Sequence, residues 1–307
     1  MSHQAPHPHA AAVRSYRPLV ELIPQHWQSH QIAADDGADL HVIETGNSAP
    51  PLLLVHGLQV NGLSWLRTAQ ALEADHRLIL PDLRGHGRSA RVGGVSLSAD
   101  RLLADLRAVL AHFSIEPRQC HLVGHSLGAD LAGRLAATLP FASCTLVEPA
   151  LQDFATTLLS SDGETPSWLA SLYDTLAALA DLPHAEQMQR ALALLPPGAP
   201  LYEERDYVAF AAGQSQFDPA FFAQIAQLGY LFQEPTVIAD IACPLLLMTA
   251  RPMMPGACLE PGLSAFTGHW QRGEHRHFPH CGHAIQFEAL AEFVAELRRF
   301  WERVSEV

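Results

Sequence analysis

Basic residues are scarce in this 307-residue chain. Lysine and arginine number 19 against 32 aspartates and glutamates, a formal net charge of −13. Such a deficit argues against nucleic acid or an anionic membrane as a partner, because both are held by a basic footprint. Long apolar runs are missing too: no stretch approaches the roughly 20 residues that a membrane span requires. The N-terminal Met1-Ser2-His3-Gln4-Ala5-Pro6-His7-Pro8-His9 has neither the basic region nor the apolar run of a secretory signal, so the expected location is the cytoplasm. The five cysteines, Cys120, Cys144, Cys243, Cys258 and Cys281, are odd in number and show no paired spacing. That indicates buried free thiols and no disulfide framework. Charged residues are only 17% of the chain and apolar residues 48%, the balance of a globular protein with a sizeable core. The 18 histidines make the chain markedly less acidic below about pH 6.5.

Residues 1–20 are rich in His, Pro and Ala and read as a flexible arm. His3, His7 and His9 are able to catch a metal ion, but a solvated tail is the simpler reading. The arm could wrap a partner subunit in a homo-oligomer as readily as hang free. Two runs, Trp27–Ala33 and Ala38–Glu44, flank Asp35-Asp36-Gly37 and predict a β-hairpin. Short apolar runs without alternation follow at 52–55, 78–80, 120–123, 144–147 and 245–248, with a weaker one at 275–278. Such runs suit strands buried on both faces of a parallel sheet. Helical spacing fills 97–113 behind a Ser96 or Ser98 cap, 127–139 up to Pro140, and a closing amphipathic helix over 284–301. Strands alternating with helices imply an α/β fold with a mostly parallel, doubly wound sheet. Residues 151–238 break the rhythm. They are rich in Ala, Leu and Gln, punctuated by proline and without a strand signal, so they predict a helical cap inserted into a core made of 21–150 and 239–307.

The strongest chemical signal is Gly124-His125-Ser126-Leu127-Gly128, set between a strand run and a helix run. A serine on so sharp a strand-to-helix turn has its hydroxyl pushed out of the sheet, and flanking glycines leave room for neighbouring backbone. The helix that follows points its amide end at the site and favours developing negative charge. His56-Gly57-Leu58 follows another buried strand. The backbone N–H groups of Leu58 and Leu127 are then candidate donors for an oxyanion. The polar turn Pro81-Asp82-Leu83-Arg84-Gly85-His86-Gly87-Arg88-Ser89 reads as structural, with Asp82 paired to Arg84 or Arg88.

With those segments in hand, the chain resembles the α/β-hydrolase fold family, in its cap-bearing branch of carboxylesterases, lactonases, C–C bond hydrolases, epoxide hydrolases and haloalkane dehalogenases. His56-Gly57, Asp82–Ser89, Gly124–Gly128, the strand after Cys243-Pro244, and Cys281-Gly282-His283 with Glu288 downstream run in family order. The serine at 126 resembles the ester-type branch; epoxide hydrolases and haloalkane dehalogenases carry an aspartate there. The resemblance places the general base in the loop before the closing helix, where only His283 fits. Metal binding by His275, His277, His280 and His283 is a lesser reading. Those first three are expected to be hydrogen-bonded or exposed.

The resemblance also implies a carboxylate after the strand preceding the histidine strand. That stretch, 247–256, contains no Asp or Glu. Glu148, at the end of the 144–147 strand, is the substitute, as in similar lactone hydrolases acting on zearalenone and certain haloalkane dehalogenases. Such a carboxylate is costly to bury at a sheet's carboxyl edge without a partner. Glu260 is the fallback, and Glu288 is expected to anchor the closing helix or its loop. The implied reaction is hydrolysis of an ester or lactone of a medium-sized apolar or aromatic substrate, with no metal or organic cofactor. Lid candidates are Phe154, Leu158, Trp168, Tyr173, Tyr207, Phe210, Phe217, Phe221, Phe222, Tyr230 and Phe232, more than half of them expected to be cap core; Trp65 is placed to reach the pocket. Three alternatives stay open: a C–C bond hydrolase using Arg190 or Arg205 on a substrate carboxylate, a thioesterase on a carrier-bound chain, which the net charge disfavours, and a binding protein with little turnover, favoured by the empty acid position.

Overall fold

The computed structural model describes residues 17–93, 96–149, 167–179, 182–194, 203–228, 235–251 and 262–305. After a short helix α1 (Leu19–Leu22), the chain forms β1 (Gln28–Ala33), β2 (Asp39–Glu44) and β3 (Pro51–Val55). A 3₁₀ turn (Gly62–Trp65) leads into α2 (Leu66–Leu72), β4 (Arg77–Pro81) and α3 (Ala99–His112). Then come β5 (His121–His125), α4 (Leu127–Thr138) and β6 (Ser143–Val147). Helices α5 (Ser167–Leu179), α6 (His184–Leu192) and α7 (Glu204–Gln216), a 3₁₀ segment (Pro219–Leu228) and α8 (Pro235–Ala239) follow. The chain closes with β7 (Leu245–Ala250), α9 (Gly262–Thr267), β8 (Gly273–Phe278), α10 (Ile285–Glu288) and α11 (Leu290–Ser305).

The eight strands make one sheet in the order β1-β2-β4-β3-β5-β6-β7-β8. β1 and β2 form the antiparallel hairpin, β2 meets β4 antiparallel, and every later pairing is parallel. Leu52 to Val55, Leu78 to Leu80 and Leu245 to Met248 are almost wholly buried, as strands covered on both faces must be. The strand order reverses at β3, with β4 on one side and β5 on the other, which puts the crevice of the doubly wound sheet at the carboxyl ends of these central strands.

α3 starts where Ser98 accepts the N–H of Arg101, an N-cap that satisfies one of the helix's free amides. The closing helix departs from expectation. It is interrupted at Ala289 (φ −138°, ψ 48°), which separates α10 from α11. Ile285, Gln286 and Phe287 are all buried. Three consecutive buried residues cannot lie on the single apolar stripe of a surface helix, so the chain turns before the amphipathic α11 begins.

The described residues between 167 and 228 are helical or connect helices, and they are tied to the loops above the sheet. Gln214 donates to the carbonyl of Gln59 at 2.9 Å, and Asn61 to Gln216 at 2.9 Å. Asp218 accepts the N–H of Val92 at 2.8 Å, and Gln224 that of Leu97 at 2.7 Å. Arg67 spans Asp206 and Glu203. Tyr207, Phe217, Phe221 and Phe222 are buried, and Phe217 and Phe221 pack edge-on against His86. They are packing residues of this layer, as expected for most of the aromatic candidates; Phe154, Leu158, Tyr230 and Phe232 lie outside the described residues. Cys120, Cys144, Cys243 and Cys281 are buried free thiols; Cys258 lies outside the described residues, as do His3, His7 and His9. Among the described residues no helix is long and apolar enough to cross a membrane.

Candidate active site

β5 ends at His125, and the backbone reverses at Ser126 with φ 54° and ψ −118°. That left-handed conformation is costly for a non-glycine residue. Its surroundings enforce it. The N–H of Ser126 is held by the carbonyl of Val147 on β6 at 2.9 Å, and its own carbonyl accepts the N–H of Ala129 at 2.9 Å as α4 begins. A Cβ on Gly124 would stand 2.1 Å from the carbonyl oxygen of Gly128, and one on Gly128 2.3 Å from that of Val55. The strand-turn-helix closes only because both positions lack side chains. Leu127 is the first residue of α4, so its N–H is one of the unpaired amides at that helix's start.

His56 fixes the second turn. Its Nε2 accepts the N–H of Leu83 at 2.9 Å, so Nδ1 carries the proton and donates to the carbonyl of Gly57 at 2.7 Å. Full burial pushes its pKa down, with the charge of Asp82 opposing. Gly57 lies against the turn at Ser126: a Cβ there would meet His125 Nδ1 at 3.0 Å and Ser126 Cβ at 3.1 Å. Leu58 therefore leaves this turn alongside Ser126.

Glu148 is fully buried and has φ 48°. Its N–H is bound to the carbonyl of Met248 at 2.9 Å, and its two carboxylate oxygens are used separately. Oε1 accepts the N–H of Ala250 at 2.5 Å, and Oε2 faces Nδ1 of His283 at 3.3 Å. The structure thus places Glu148 and His283 together, and the carboxylate is held by backbone on the side away from the imidazole. A bond of that length is common in unliganded sites, where it tightens only around substrate. Glu260 lies outside the described residues. Glu288 accepts the N–H of Gly282 at 2.7 Å, so it anchors the loop that carries His283. Burial raises its pKa, against that amide bond.

Two expectations about neighbouring residues are corrected, and the hydrogen-bonded or exposed state expected of His275, His277 and His280 is found. Asp82 pairs with neither guanidinium. Its carboxylate accepts His41 Nδ1 at 2.8 Å, the N–H of Gly62 at 2.7 Å and the backbone N–H of Arg88 at 2.9 Å. Burial acts to raise its pKa, but the His41 hydrogen bond and charge outweigh it and the net direction is down. Arg84 turns instead to Asp105 and Asp36. Trp65 ends the 3₁₀ helix that runs into α2 and is wholly buried. It packs edge-on to His125 and stacks on Phe293. With no exposed surface it does not line an open pocket; its ring is enclosed between His125 and Phe293. His275 and His277 both bond Thr249 Oγ1, at 2.8 and 2.9 Å, while His280 pairs with Glu292 on the surface. Among the described residues no group of three or more His, Cys, Asp or Glu side chains could hold a metal ion.

Sequence reading missed His125. Its Nε2 lies 2.9 Å from the backbone carbonyl of His283, and the two rings are 4.8 Å apart. The two arginines considered for a substrate carboxylate are engaged elsewhere, Arg190 with Glu186 and Arg205 with Gln70.

A family model described as the alpha/beta hydrolase family matches residues 52–296. Over 136 residues the chain is 32% identical to the magnesium-chelatase 30 kDa subunit of Rhodobacter capsulatus, covering 43% of this chain and 47% of that protein. Over 98 residues it is 40% identical to the pimeloyl-[acyl-carrier protein] methyl ester esterase of Aeromonas salmonicida, covering 32% and 36%. The chain spans less than half the length of these curated relatives. Among solved structures, naproxen esterase from Bacillus subtilis superposes with a TM-score of 0.68 at 18% identity, covering 95% of this chain and 96% of that one. An esterase from Rhodococcus sp. does so with a TM-score of 0.68 at 21% identity, covering 90% and 99%. At these identities the structural likeness is one of fold. The family model spans most of the chain, from β3 into α11, and the chain belongs to the alpha/beta hydrolase family.

Proposed function

We propose that this protein is a serine hydrolase that cleaves a carboxylic ester or lactone through an acyl-enzyme on Ser126. The observation that carries this reading is the pair Glu148–His283. A wholly buried carboxylate meets the imidazole at 3.3 Å while a backbone amide holds its other oxygen. Such a carboxylate fixes the tautomer that leaves Nε2 free to accept a proton and stabilises the imidazolium that forms. In the first half-reaction His283 Nε2 takes the proton of Ser126 Oγ as Oγ bonds to the substrate carbonyl carbon. The resulting oxyanion is held by the N–H groups of Leu58 and Leu127. When the intermediate collapses, the bond to the leaving alkoxide breaks and His283 returns its proton to that oxygen. Water, deprotonated by the same nitrogen, then releases the acid and restores Ser126.

The names of several similar proteins support the ester-type reading, among them the pimeloyl-[acyl-carrier protein] methyl ester esterase and the naproxen esterase. The inserted segment 151–238 is read as a lid over an apolar site, which favours a medium-sized apolar or aromatic substrate. Engagement of Arg190 and Arg205 weighs against the C–C hydrolase alternative. The position of Glu148 on His283 weighs against a binding protein that has lost its acid. The test is hydrolysis of p-nitrophenyl esters and a small lactone panel by wild type, Ser126→Ala, Glu148→Gln and Glu260→Gln. Turnover that collapses in the first two variants and survives in the third supports the triad. Full activity in Glu148→Gln overturns the assignment of the acid.

A further inference from the structure

Besides the Glu148 contact to the His283 ring, several bonds hold the backbone of the base loop. Arg251 donates its N–H to the carbonyl of Cys281 at 3.0 Å, Glu288 accepts the N–H of Gly282 at 2.7 Å, and His125 reaches the carbonyl of His283 at 2.9 Å. Only the last of these comes from the strand that carries the nucleophile. We propose that His125 is a positioning residue: its imidazole clamps the backbone of His283 and so sets the base relative to Ser126, its own neighbour in the chain. This rests on the reading of Ser126 and His283 as nucleophile and base.

The chemistry of the contact assigns the proton. A carbonyl oxygen only accepts, so His125 Nε2 carries hydrogen and Nδ1 holds the lone pair. The ring is 8% exposed. Two titratable groups act on it, His283 and His56, and both are imidazoles. Burial, then His283, pushes the pKa of His125 down to about 3, against the raising effect of the carbonyl bond. It therefore stays a neutral donor when His283 becomes an imidazolium 4.8 Å away, and no second positive charge opposes that step. Behind it, Trp65 meets the ring edge-on at 6.3 Å and is itself stacked on Phe293 of α11 at 6.1 Å. The donor is thus backed by rigid packing.

The bond it protects has little reserve. Glu148 and His283 are already 3.3 Å apart, near the outer limit for an N–H···O contact. A loop that drifts by ~1 Å breaks that bond, and misplacement of this size costs about 10²-fold in rate. Nothing in a Gly-x-Ser-x-Gly turn requires a donor at the residue before serine, so the effect is a property of this side chain and not of the turn.

The experiment compares wild type, His125→Phe, which keeps a buried ring without the donor, and His125→Gln, whose amide N–H can replace Nε2–H. Steady-state hydrolysis of a p-nitrophenyl ester is read together with the nuclear magnetic resonance signal of the His283 Nδ1 proton in ¹⁵N-histidine-labelled protein. His125→Phe is expected to lower kcat by about 10- to 100-fold with KM nearly unchanged and to broaden or remove that signal. His125→Gln restores most of both. If His125→Phe does not fold, His125→Asn, whose shorter amide stops short of the carbonyl, takes its place. Unchanged kcat and an unchanged proton signal in the donor-less variant overturn the proposal, as does a glutamine that rescues neither. A wild type inert toward every ester overturns the hydrolase reading instead. The Nδ1 signal then decides the clamp alone: loss in His125→Phe supports it, and persistence contradicts it.

Discussion

Ser126 and Glu148, at the ends of neighbouring strands, both have positive φ, 54° and 48°, and the amide of Ser126 is bound to the carbonyl of the residue before Glu148. Two non-glycine residues at positive φ cost ~1–3 kcal/mol each. They persist because β6, β7 and α4 over-determine them. Glycine adopts such angles without penalty, so Ser126→Gly is expected to be more stable than Ser126→Ala, by about 1 kcal/mol, even though glycine ordinarily destabilises. Neither variant is expected to hydrolyse ester if Ser126 is the nucleophile. Thermal unfolding of the two side by side checks this, and a lower melting temperature for the glycine variant would show that the turn is unstrained.

Glu148→Gln keeps the size of the side chain and an oxygen for the N–H of Ala250. On the proposed mechanism it removes the charge that would stabilise an imidazolium at His283. Loss of kcat/KM by about 10²- to 10⁴-fold is expected, with a melting temperature close to that of wild type. Glu288→Gln, which can still accept from Gly282, is expected to lose less than tenfold, about 1 kcal/mol or below. Parallel kinetics on the two variants separate the carboxylate at the ring from the one that only ties the loop.

Gly57→Ala presses a methyl group to within 3.1 Å of Ser126 Cβ and 3.0 Å of His125 Nδ1. His125 and Ser126 must give by a few tenths of an ångström. The expected result is a fall in kcat of about 10-fold or more with modest loss of stability. Activity equal to wild type would mean that the oxyanion turn is free to move away from Ser126.

Buried histidines set the acid limit of the fold. His86 and His125 are pushed down to about 3 by burial, which is the largest cause at each. Between about pH 6.5 and those values the unfolded chain takes protons that the folded chain refuses. Stability therefore rises with pH across this window and is lost as pH falls, by about 1.4 kcal/mol per pH unit for each such group. Melting temperatures are expected to be flat from pH 8 to 7 and to drop below about pH 6.5. Replacing His86, whose Nε2 is buried without a partner, by Phe is expected to soften the drop.

Much of the architecture is legible in the sequence because it is written in local patterns. The apolar runs at 52–55, 78–80, 144–147 and 245–248 are legible as strands because they are short, bounded by turn residues and show no helical spacing. β5 continues to His125, two residues beyond its apolar run, because Gly124 and His125 pair with Leu146 and Val147; sheet pairing overrides their weak strand preference. Asp82 was misread because its partners are His41 and two backbone amides, and amides leave no mark in a sequence. His125 was missed for the same reason: its partner is a carbonyl 158 residues away. The break at Ala289 follows from tertiary burial of three successive residues, which no periodicity announces.

The most direct measurement is labelling of the wild-type protein by a fluorophosphonate, with the modified residue located by mass spectrometry and the rate compared with that of Glu148→Gln. The account predicts a single adduct on Ser126 that forms at least about tenfold more slowly in Glu148→Gln. No adduct on Ser126, or equal rates in the two proteins, would contradict it.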